Sequence, residues 1–303
     1  MTFPLSVEFA KEIEKYIFGK SSQIELILIA FLARGHVLLE DLPGMGKTSL
    51  AKVLSQVFDL KFRRIQGSTD LLPSDILGVN IFNPKTREFD LNEGPIFTEI
   101  LLFDEMNRTP PKTQSALLQV MAEQTVTIDQ KTYLLNSPFF VIGTQNYEGS
   151  SGTYNLPDSQ LDRFSIRLSL GYPAIEFEKK ILIRSTEITS KKQFSRKQIL
   201  DLQNQVESIY VDVKIIDYIL EIINRTRADE SLLHGVSVRG SQELYRLCQA
   251  RAVFNNRNHV IPEDVKFLAP YVLSHRIASI NLRDKIDQEG YINNLLKTVA
   301  IPF

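Results

Sequence analysis

Eight consecutive residues near the start of the chain constrain its fold more than any other segment. They read Asp41-Leu-Pro-Gly-Met-Gly-Lys-Thr48 and follow a short apolar run at 36–40 that predicts a strand. A helical period from about Lys47 to Phe58 comes directly after them. Glycines allow backbone N–H groups to close around phosphate oxygens, and a helix N-terminus adds favourable positive potential. A strand, this loop and a helix in this order predict a nucleotide site in an α/β sheet; the alternative is a plain glycine turn.

Two side chains of this loop have the chemistry that a nucleoside triphosphate requires. Lys47 is expected to reach the β- and γ-phosphates, and the hydroxyl of Thr48 is expected to ligate Mg²⁺. Asp41 stands where the G-x-x-x-x-G-K-T pattern has its first glycine. Aspartate tolerates unusual turn geometry, so we expect binding to survive. The loop residues predicted to hold the nucleotide are Asp41, Pro43, Gly44, Met45, Gly46, Lys47, Thr48 and Ser49.

A second apolar run, Ile100-Leu-Leu-Phe, ends in the acidic pair Asp104-Glu105. Open α/β sheets bind ligands at the carboxyl ends of their strands, so both carboxylates are expected beside the loop. Asp104 would hold Mg²⁺ through water or Thr48, and Glu105 would polarise the attacking water. Taken alone, the segment also fits a strand that ends in solvated charge. An adjacent Asp-Glu pair favours hydrolysis of ATP, and the Asn-Lys-x-Asp string typical of GTPases is absent from the sequence.

A third apolar run, Phe139-Phe-Val-Ile, leads into Gly143-Thr-Gln-Asn146. It predicts another buried strand that ends in polar amides. Asn146 is a candidate for orienting the attacking water or for contacting the γ-phosphate; the alternative is an asparagine that forms a turn.

The organisation of the chain changes near Pro173. Before it, predicted strands alternate with helices, which indicates a parallel sheet covered by helices on both faces. After it, the remaining segments fit helical periods. The sequence therefore predicts an α/β nucleotide-binding domain at 1–173 and an all-helical domain at 174–303.

Composition narrows the function classes further. Hydrophobic residues make up 43% of the 303 residues, which excludes disorder for most of the chain. The formal net charge of -1 gives no strong field for nucleic acid or an anionic membrane, although a local basic groove stays open. Cys248 is the single cysteine, as in proteins of reducing compartments. Neither a signal peptide nor an apolar run of membrane length is recognisable, so a cytoplasmic protein is expected.

Several motifs together resemble a known family. The segment at 102–118, Leu-Phe-Asp-Glu-Met-Asn-Arg-Thr-Pro-Pro-Lys-Thr-Gln-Ser-Ala-Leu-Leu, closely resembles the Walker B segment and following helix of MoxR-type AAA+ ATPases. Gly143-Thr-Gln-Asn146, the 152–157 segment and Gln160-Leu-Asp-Arg-Phe164 are similar to the next motifs of that family, in the same order. The resemblance covers about residues 20 to 275. It implies a P-loop AAA+ core followed by an all-helical lid.

The resemblance also implies roles for three residues. Asn146 matches the residue called sensor 1, and Arg163 matches the arginine finger that acts on the nucleotide of a neighbouring subunit. Arg239 matches sensor 2 on the lid, although Val238 replaces the proline that usually precedes it. A guanidinium supplies planar donors for the charge that develops on the γ-phosphate. For both arginines, the alternative is a solvated or salt-bridged surface residue.

Two segments are expected to form hairpins. One lies between Gly78 and Gly94 and resembles an insertion that faces the pore in this clade. The other, at 126–133, resembles the hairpin that precedes sensor 1. Both could also be hairpins without a role in remodelling.

The resemblance implies a ring, commonly a hexamer, that couples ATP hydrolysis to chaperone-like remodelling of partner proteins. MoxR-type proteins typically act on partners with a von Willebrand factor A domain, and no segment of this chain resembles that domain. Two other functions stay open: a nucleic-acid-translocating motor of the same clade, and a nucleotide-gated scaffold that hydrolyses little ATP.

Overall fold

The computed structural model describes residues 5–145, 153–183, 193–278 and 285–302. The strands, in chain order, are β1 (Val37–Glu40), β2 (Phe62–Gln66), β3 (Gly78–Asn83), β4 (Glu88–Glu93), β5 (Ile100–Asp104), β6 (Thr125–Ile128), β7 (Lys131–Leu134), β8 (Phe140–Gln145) and β9 (Ile166–Leu168). The helices of the first half are α1 (Leu5–Glu14), α2 (Ser21–Leu32), α3 (Lys47–Val57), α4 (Pro73–Leu77), α5 (Pro111–Glu123) and α6 (Asp158–Leu161). Those of the second half are α7 (Ile175–Ile183), α8 (Arg196–Glu207), α9 (Val213–Ala228), α10 (Val238–Phe254), α11 (Pro262–Leu273) and α12 (Lys285–Thr298).

Five parallel strands form the central sheet in the order β2-β5-β8-β1-β9. Alternate residues of each strand point to opposite faces of the sheet, so a continuous apolar run places apolar side chains on both faces. In β5, for example, Ile100 and Leu102 belong to one hydrophobic cluster, whereas Leu101 and Phe103 belong to the other. Helices cover both sides, which confirms the predicted α/β fold class.

One of the two hydrophobic clusters continues from the sheet into the C-terminal helices. Helix α2 lies between the sheet and the C-terminal helices, and it is buried along almost all of its length from Ile24 to Leu32. The side chain of Gln203 on α8 donates to the carbonyl of Phe31 at 2.8 Å, and Arg251 on α10 pairs with Glu25 at 3.3 Å. The core is therefore shared across Pro173, and the domain boundary stays a prediction.

Both expected hairpins are present. Strands β3 and β4 pair antiparallel with Phe82 opposite Phe89, and these two rings are 51% and 63% exposed. The side chain of Asn80 donates to Asp129 at 2.7 Å, at the turn between β6 and β7. The two hairpins therefore contact each other at the margin of the α/β half.

Several element boundaries differ from the sequence-based expectation. The helical period predicts a helix over 242–254, but α10 begins four residues earlier, at Val238, because the hydroxyl of Ser237 accepts the N–H of Gly240 at 3.1 Å and caps it. Helices α4, α6 and α12 were not predicted. The predicted helix at 176–188 is described only as far as Ile183. Across the described ranges, none of the helices has the length and apolar character to cross a membrane.

Candidate active site

The glycine-containing loop joins β1 to α3 at the carboxyl edge of the sheet. Gly44 and Gly46 both have φ +86°, the left-handed region that favours glycine. No atom lies within 4 Å of a Cβ built at either position, so backbone conformation rather than space requires glycine there. Gly46 is the N-cap of α3, and no side chain caps that terminus. The first N–H groups of α3 therefore face the loop, as a phosphate-binding terminus requires.

Lys47 is the first residue of α3 and is buried. Its ammonium group donates to the carbonyl of Asp41 at 2.9 Å. Burial lowers the pKa of Lys47, and the nearby carboxylates of Asp41, Asp104 and Glu105 oppose that shift. Lys47 and the Asp-Glu pair are thus close enough to interact, which the sequence predicted from two segments almost sixty residues apart.

The carboxylate of Asp41 points away from the loop and toward the segment that follows β9. It accepts the hydroxyl of Ser169 at 2.5 Å and the N–H groups of Leu170 and Gly171 at 2.8 and 3.0 Å. Asp41 is 2% exposed. Its side chain therefore ties 169–171 to the loop, and only its main chain faces the place expected for phosphate.

Asp104 and Glu105 follow β5 beside the loop, and Thr144 of β8 holds them together. The Thr144 hydroxyl donates to Oδ1 of Asp104 at 2.6 Å and accepts the N–H of Glu105 at 2.9 Å. Glu105 has φ +53°, a left-handed backbone at the point where the chain leaves the sheet. Thr144 was not among the predicted site residues, although it lies within the quoted Gly-Thr-Gln-Asn segment.

Residues of the edge strand β2 also contact the acidic pair and were not predicted. Arg64 donates to Oδ2 of Asp104 at 2.7 Å, and Gln66 donates to Oε2 of Glu105 at 2.9 Å. Gly67 lies so close to Glu105 that a Cβ would be 2.2 Å from its carbonyl oxygen. The segment at 61–66 reads as a strand in the sequence and ends in polar residues, which is the only local signal. Which strand lies next to it in the sheet cannot be read from the sequence.

The donor set at this edge suits Mg²⁺ bound with a nucleotide. Thr48 offers a hydroxyl in the first turn of α3, and Asp104 offers a carboxylate at the end of β5. Within the described ranges, no group of three or more histidine, cysteine or acidic side chains could hold a metal by itself. A hard cation bound through one or two protein oxygens and phosphate oxygens is the arrangement that magnesium prefers.

A cavity of about 740 Å³ opens beside the loop. The cavity is not predictable from the sequence, because its walls come from three segments that are distant in the chain. Its lining residues include Ile17, Phe18, Met45, Ser49, Leu170 and Tyr172. A mostly apolar cavity next to a phosphate loop fits the base and ribose of a nucleotide.

Hydrogen bonds join two of the segments that line this cavity, the N-terminal segment and the segment after β9. The ammonium of Lys20 donates to the carbonyls of Gly171 and Tyr172 at 3.0 and 2.8 Å. Gly19 has φ +67°, and a Cβ there would be 2.5 Å from the ring of Phe177 on α7. Glycine is therefore required at position 19 for both conformation and space.

Arg163 lies at the opposite end of the sheet from the loop. Ile166 pairs with Val37 in the parallel register of β9 and β1, whereas the loop begins four residues after Val37. The four residues from Val37 to the start of the loop span about 13 Å along the strand. Arg163 comes three residues before Ile166 and therefore lies beyond the end of the sheet that is opposite to the loop. Its guanidinium donates to the carbonyl of Leu118 on α5 at 3.0 Å. Arg163 is thus remote from the loop of its own chain.

Arg239 lies at the same end of the molecule as Arg163. It is in the first turn of α10, whose N-cap Ser237 donates to Oδ2 of Asp162 at 3.1 Å. Burial lowers the pKa of His36, which precedes β1, to about 4, and the charge of Arg239 contributes to the lowering. The structure thus brings the loop, Asp104 and Glu105 together. Arg163 and Arg239 both lie at the other end of the molecule, and Asn146 lies outside the described residues.

Two family models match the chain. The ATPase family associated with various cellular activities (AAA) matches residues 36–166, and the AAA lid domain matches residues 224–292. The first range contains the loop, Asp104, Glu105 and Arg163, and the second contains Arg239.

Individual relatives match almost the whole chain. The chain is 38% identical to Chaperone MoxR1 of Mycobacterium tuberculosis over 96% of its own length and 81% of that protein. It is 42% identical to the uncharacterized protein YeaC of Bacillus subtilis, covering 99% of this chain and 95% of that one. The crystal structure of a candidate ATPase from Cytophaga hutchinsonii superposes with a TM-score of 0.85 at 36% identity and covers 98% of this chain and 97% of the other.

Proposed function

This chain belongs to the MoxR-type AAA+ ATPases, and on that premise we propose that it hydrolyses ATP between the subunits of a ring and remodels partner proteins in a chaperone-like manner. One observation carries the proposal. Lys47, Asp104 and Glu105 lie at the carboxyl edge of the sheet, whereas Arg163 lies beyond its amino edge. Two copies arranged head to tail would bring the two sets of groups to one nucleotide.

ATP fits the site with its base and ribose in the cavity of about 740 Å³ and its phosphates on the loop. Lys47 then exchanges the carbonyl of Asp41 for phosphate oxygens, which are stronger partners because they are charged. The N–H groups of the first turn of α3 bind the phosphates as well. When bound, Mg²⁺ would be held by Thr48 and Asp104 and would neutralise charge on the phosphate oxygens.

Glu105 acts as the acceptor for the proton of the attacking water. Gln66 and Arg108 both donate to its Oε2, at 2.9 and 3.1 Å, and these contacts limit the positions that the carboxylate can take. The hydroxyl of Thr144 fixes the backbone at the same residue. Asn146 follows β8 in the sequence, and we propose that it orients the same water.

Arg163 of a neighbouring subunit supplies positive charge to the γ-phosphate in the transition state. In the single chain it rests on the carbonyl of Leu118, a contact that a phosphate oxygen can replace. We propose that Arg239, at the same end of the molecule, contributes to the same shared site. A hexameric ring is the assembly that the family resemblance implies.

The client is proposed to be a protein, and the two hairpins are the surface proposed to contact it. The exposed Phe82 and Phe89 pack against each other with ring centroids 5.5 Å apart and form an exposed apolar patch on the β3–β4 hairpin, next to its turn. A partner with a von Willebrand factor A domain is the client class that the family resemblance implies.

Mixing two inactive variants tests the shared site. Glu105→Gln and Arg163→Ala should each bind ATP but hydrolyse it slowly, and an arginine finger is worth roughly 10³ to 10⁵ in rate. After co-assembly, some interfaces join an intact Glu105 to an intact Arg163, so activity should return. Glu221→Gln, an exposed glutamate on α9, serves as the control and should hydrolyse ATP normally.

Mixtures that stay inactive, with co-assembly confirmed by sedimentation, would remove the shared site from the mechanism. Stimulation of hydrolysis by DNA that disappears with rising salt would favour the nucleic-acid motor instead. A pull-down with the Glu105→Gln variant in ATP would identify the client protein.

A further inference from the structure

Arg276 is a buried arginine of the C-terminal half that reaches the segment carrying Arg163. It follows α11 and is 4% exposed. Its Nε donates to the Asp162 carboxylate at 2.7 Å, and one terminal nitrogen donates to the carbonyls of Asp162 and Phe164 at 3.1 and 2.7 Å. The other terminal nitrogen lies 3.4 Å from the carbonyl of Ser165. One guanidinium therefore binds the chain on both sides of Arg163.

Two further residues of the C-terminal half hold the same segment. The hydroxyl of Ser237 donates to the second carboxylate oxygen of Asp162 at 3.1 Å. Nε2 of His275 lies 2.9 Å from the carbonyl of Phe164. Since Ser237 caps α10 and His275 follows α11, both helices are attached to residues 162–164.

Gly240 provides the space that the side chain of Arg276 occupies. A Cβ at position 240 would be 2.8 Å from Cδ of Arg276 and 2.5 Å from Cγ1 of Val236. Gly240 lies in the first turn of α10, directly after Arg239. The absence of a side chain at position 240 therefore lets this turn pack against Arg276.

The surroundings of Arg276 are charged on several sides. Burial lowers its pKa, while Asp162 and Glu243 raise it and Arg239 lowers it further. Burial alone would raise the pKa of Glu243, but Arg246, Ser165 and Arg276 outweigh it, so the pKa lies below its ordinary value. A buried guanidinium among such groups is costly to desolvate, and apolar side chains often serve stability equally well. Its five donors in a rigid plane instead fix the geometry of the acceptors.

We propose that Arg276 is the positioning residue for Arg163, and that it couples the place of this arginine to the place of α10 and α11. The proposal rests on the proposed function, because it requires Arg163 to act on the nucleotide of a neighbouring subunit. A shift of α10 and α11 would then move the guanidinium of Arg163 relative to the nucleotide of the neighbouring subunit. Arg276 itself is buried and would act through Arg163, not on the nucleotide.

The test compares Arg276→Lys with Arg257→Lys. Arg257 is likewise an arginine with several hydrogen bonds, to Asp264 and to the carbonyl of His259, but all three of them stay within the C-terminal half. We expect Arg276→Lys to lower kcat at least about tenfold and to leave KM for ATP within about twofold, because the finger accelerates only the transition state. Arg257→Lys should leave both constants near those of the unchanged protein.

Mixing then separates positioning from damage to the fold. The Arg276→Lys subunit should keep an intact Glu105 and should be deficient only in the position of its Arg163. Co-assembly with Glu105→Gln should therefore restore activity. With equal amounts and random order, about a quarter of the interfaces would be complete. Co-assembly of Arg276→Lys with Arg163→Ala should restore nothing, since both lack the same half of the site.

Three outcomes decide the matter. A kcat of Arg276→Lys within twofold of the unchanged protein overturns the proposal. So does a failure of Arg276→Lys to recover with Glu105→Gln while Arg163→Ala recovers, and this result leaves the shared site intact. If Arg163→Ala also fails to recover, the shared site itself is wrong and the proposal falls with it. Should Arg276→Lys not fold, Asp162→Asn decides by the same mixtures, with a smaller loss of kcat expected.

Discussion

The hydroxyl of Thr144 lies 2.6 Å from a carboxylate oxygen of Asp104 and bridges it to the backbone of the next residue. Thr144 is fully buried in the structure. The bridge sets the relative position of two carboxylates: that of Asp104, proposed to bind Mg²⁺, and that of Glu105, proposed to accept a proton.

Thr144→Val should lower kcat about tenfold, because a hydrogen bond to a charged group contributes roughly 1.5–3 kcal/mol. Thr144→Ser keeps the hydroxyl and should stay within about threefold of the unchanged protein. Steady-state ATP hydrolysis measures both variants. Thr226→Val is the control, since the Thr226 hydroxyl makes the same donor and acceptor pair inside the C-terminal half. Equal losses in Thr144→Val and the control would show a general effect on the fold.

Lys47→Ala should abolish binding of Mg·ATP, because the ammonium compensates phosphate charge inside the loop. Titration with a fluorescent ATP analogue measures the Kd. Lys197→Ala, which removes an exposed lysine on α8, should leave the Kd unchanged. Normal affinity in Lys47→Ala would mean that the nucleotide binds elsewhere.

Asp41→Asn distinguishes two roles of this carboxylate. If its charge repelled the phosphates, the amide would tighten ATP binding. The structure instead shows it anchoring Ser169, Leu170 and Gly171, beside the wall of the cavity. We therefore expect Asp41→Asn to weaken ATP binding about tenfold, in line with the loss of hydrogen bonds to a charged group. Asp59→Asn, which changes an exposed aspartate two residues after the end of α3, is the control, and tighter binding in Asp41→Asn would contradict the anchoring role.

His36 makes stability depend on pH in a defined range. Its imidazole is buried between the N–H of Val141 and the carbonyl of Met121, and its pKa falls to about 4, mainly through burial. The unfolded chain, with a histidine pKa of about 6.5, binds more protons between these values. The free energy of unfolding should therefore fall as the pH drops from about 6.5 to about 4, by up to roughly 3 kcal/mol.

His36→Gln tests this assignment, because glutamine can both donate and accept but does not titrate. Denaturant unfolding at a series of pH values should show a flatter profile for His36→Gln across this range. An unchanged slope would assign the pH dependence to other groups.

The fold was predictable where a local pattern fixes it. Apolar runs such as Ile100–Phe103 are long enough to be buried strands, and the following Asp104 and Glu105 marked the carboxyl edge. The hairpin β3–β4 followed from alternation around Asn83-Pro84-Lys85. Helix α12 escaped prediction because Gly290 interrupts its helical sequence pattern and its buried apolar residues, Ile292 and Leu296, are few.

The parts of the site that depend on sheet order were not predictable. Arg64 and Gln66 reach the acidic pair only because β2 lies next to β5. The position of Arg239 depends on how the start of α10 packs against residues 158–162, as in the contact of His234 with Asp158 at 3.0 Å. Such contacts join residues far apart in the chain, and no local pattern records them.

Helix α2 limits how chimeras can be made between this chain and its relatives. Its residues from Ile24 to Leu32 are covered on one side by the sheet and on another by α8 and α10. Cutting the chain after Pro173 would bare the side of α2 that faces α8 and α10, and a hydrophobic surface of this kind causes aggregation. The two halves are therefore not interchangeable modules: a chimera that takes its C-terminal helices from a relative must take the matching α2 with them.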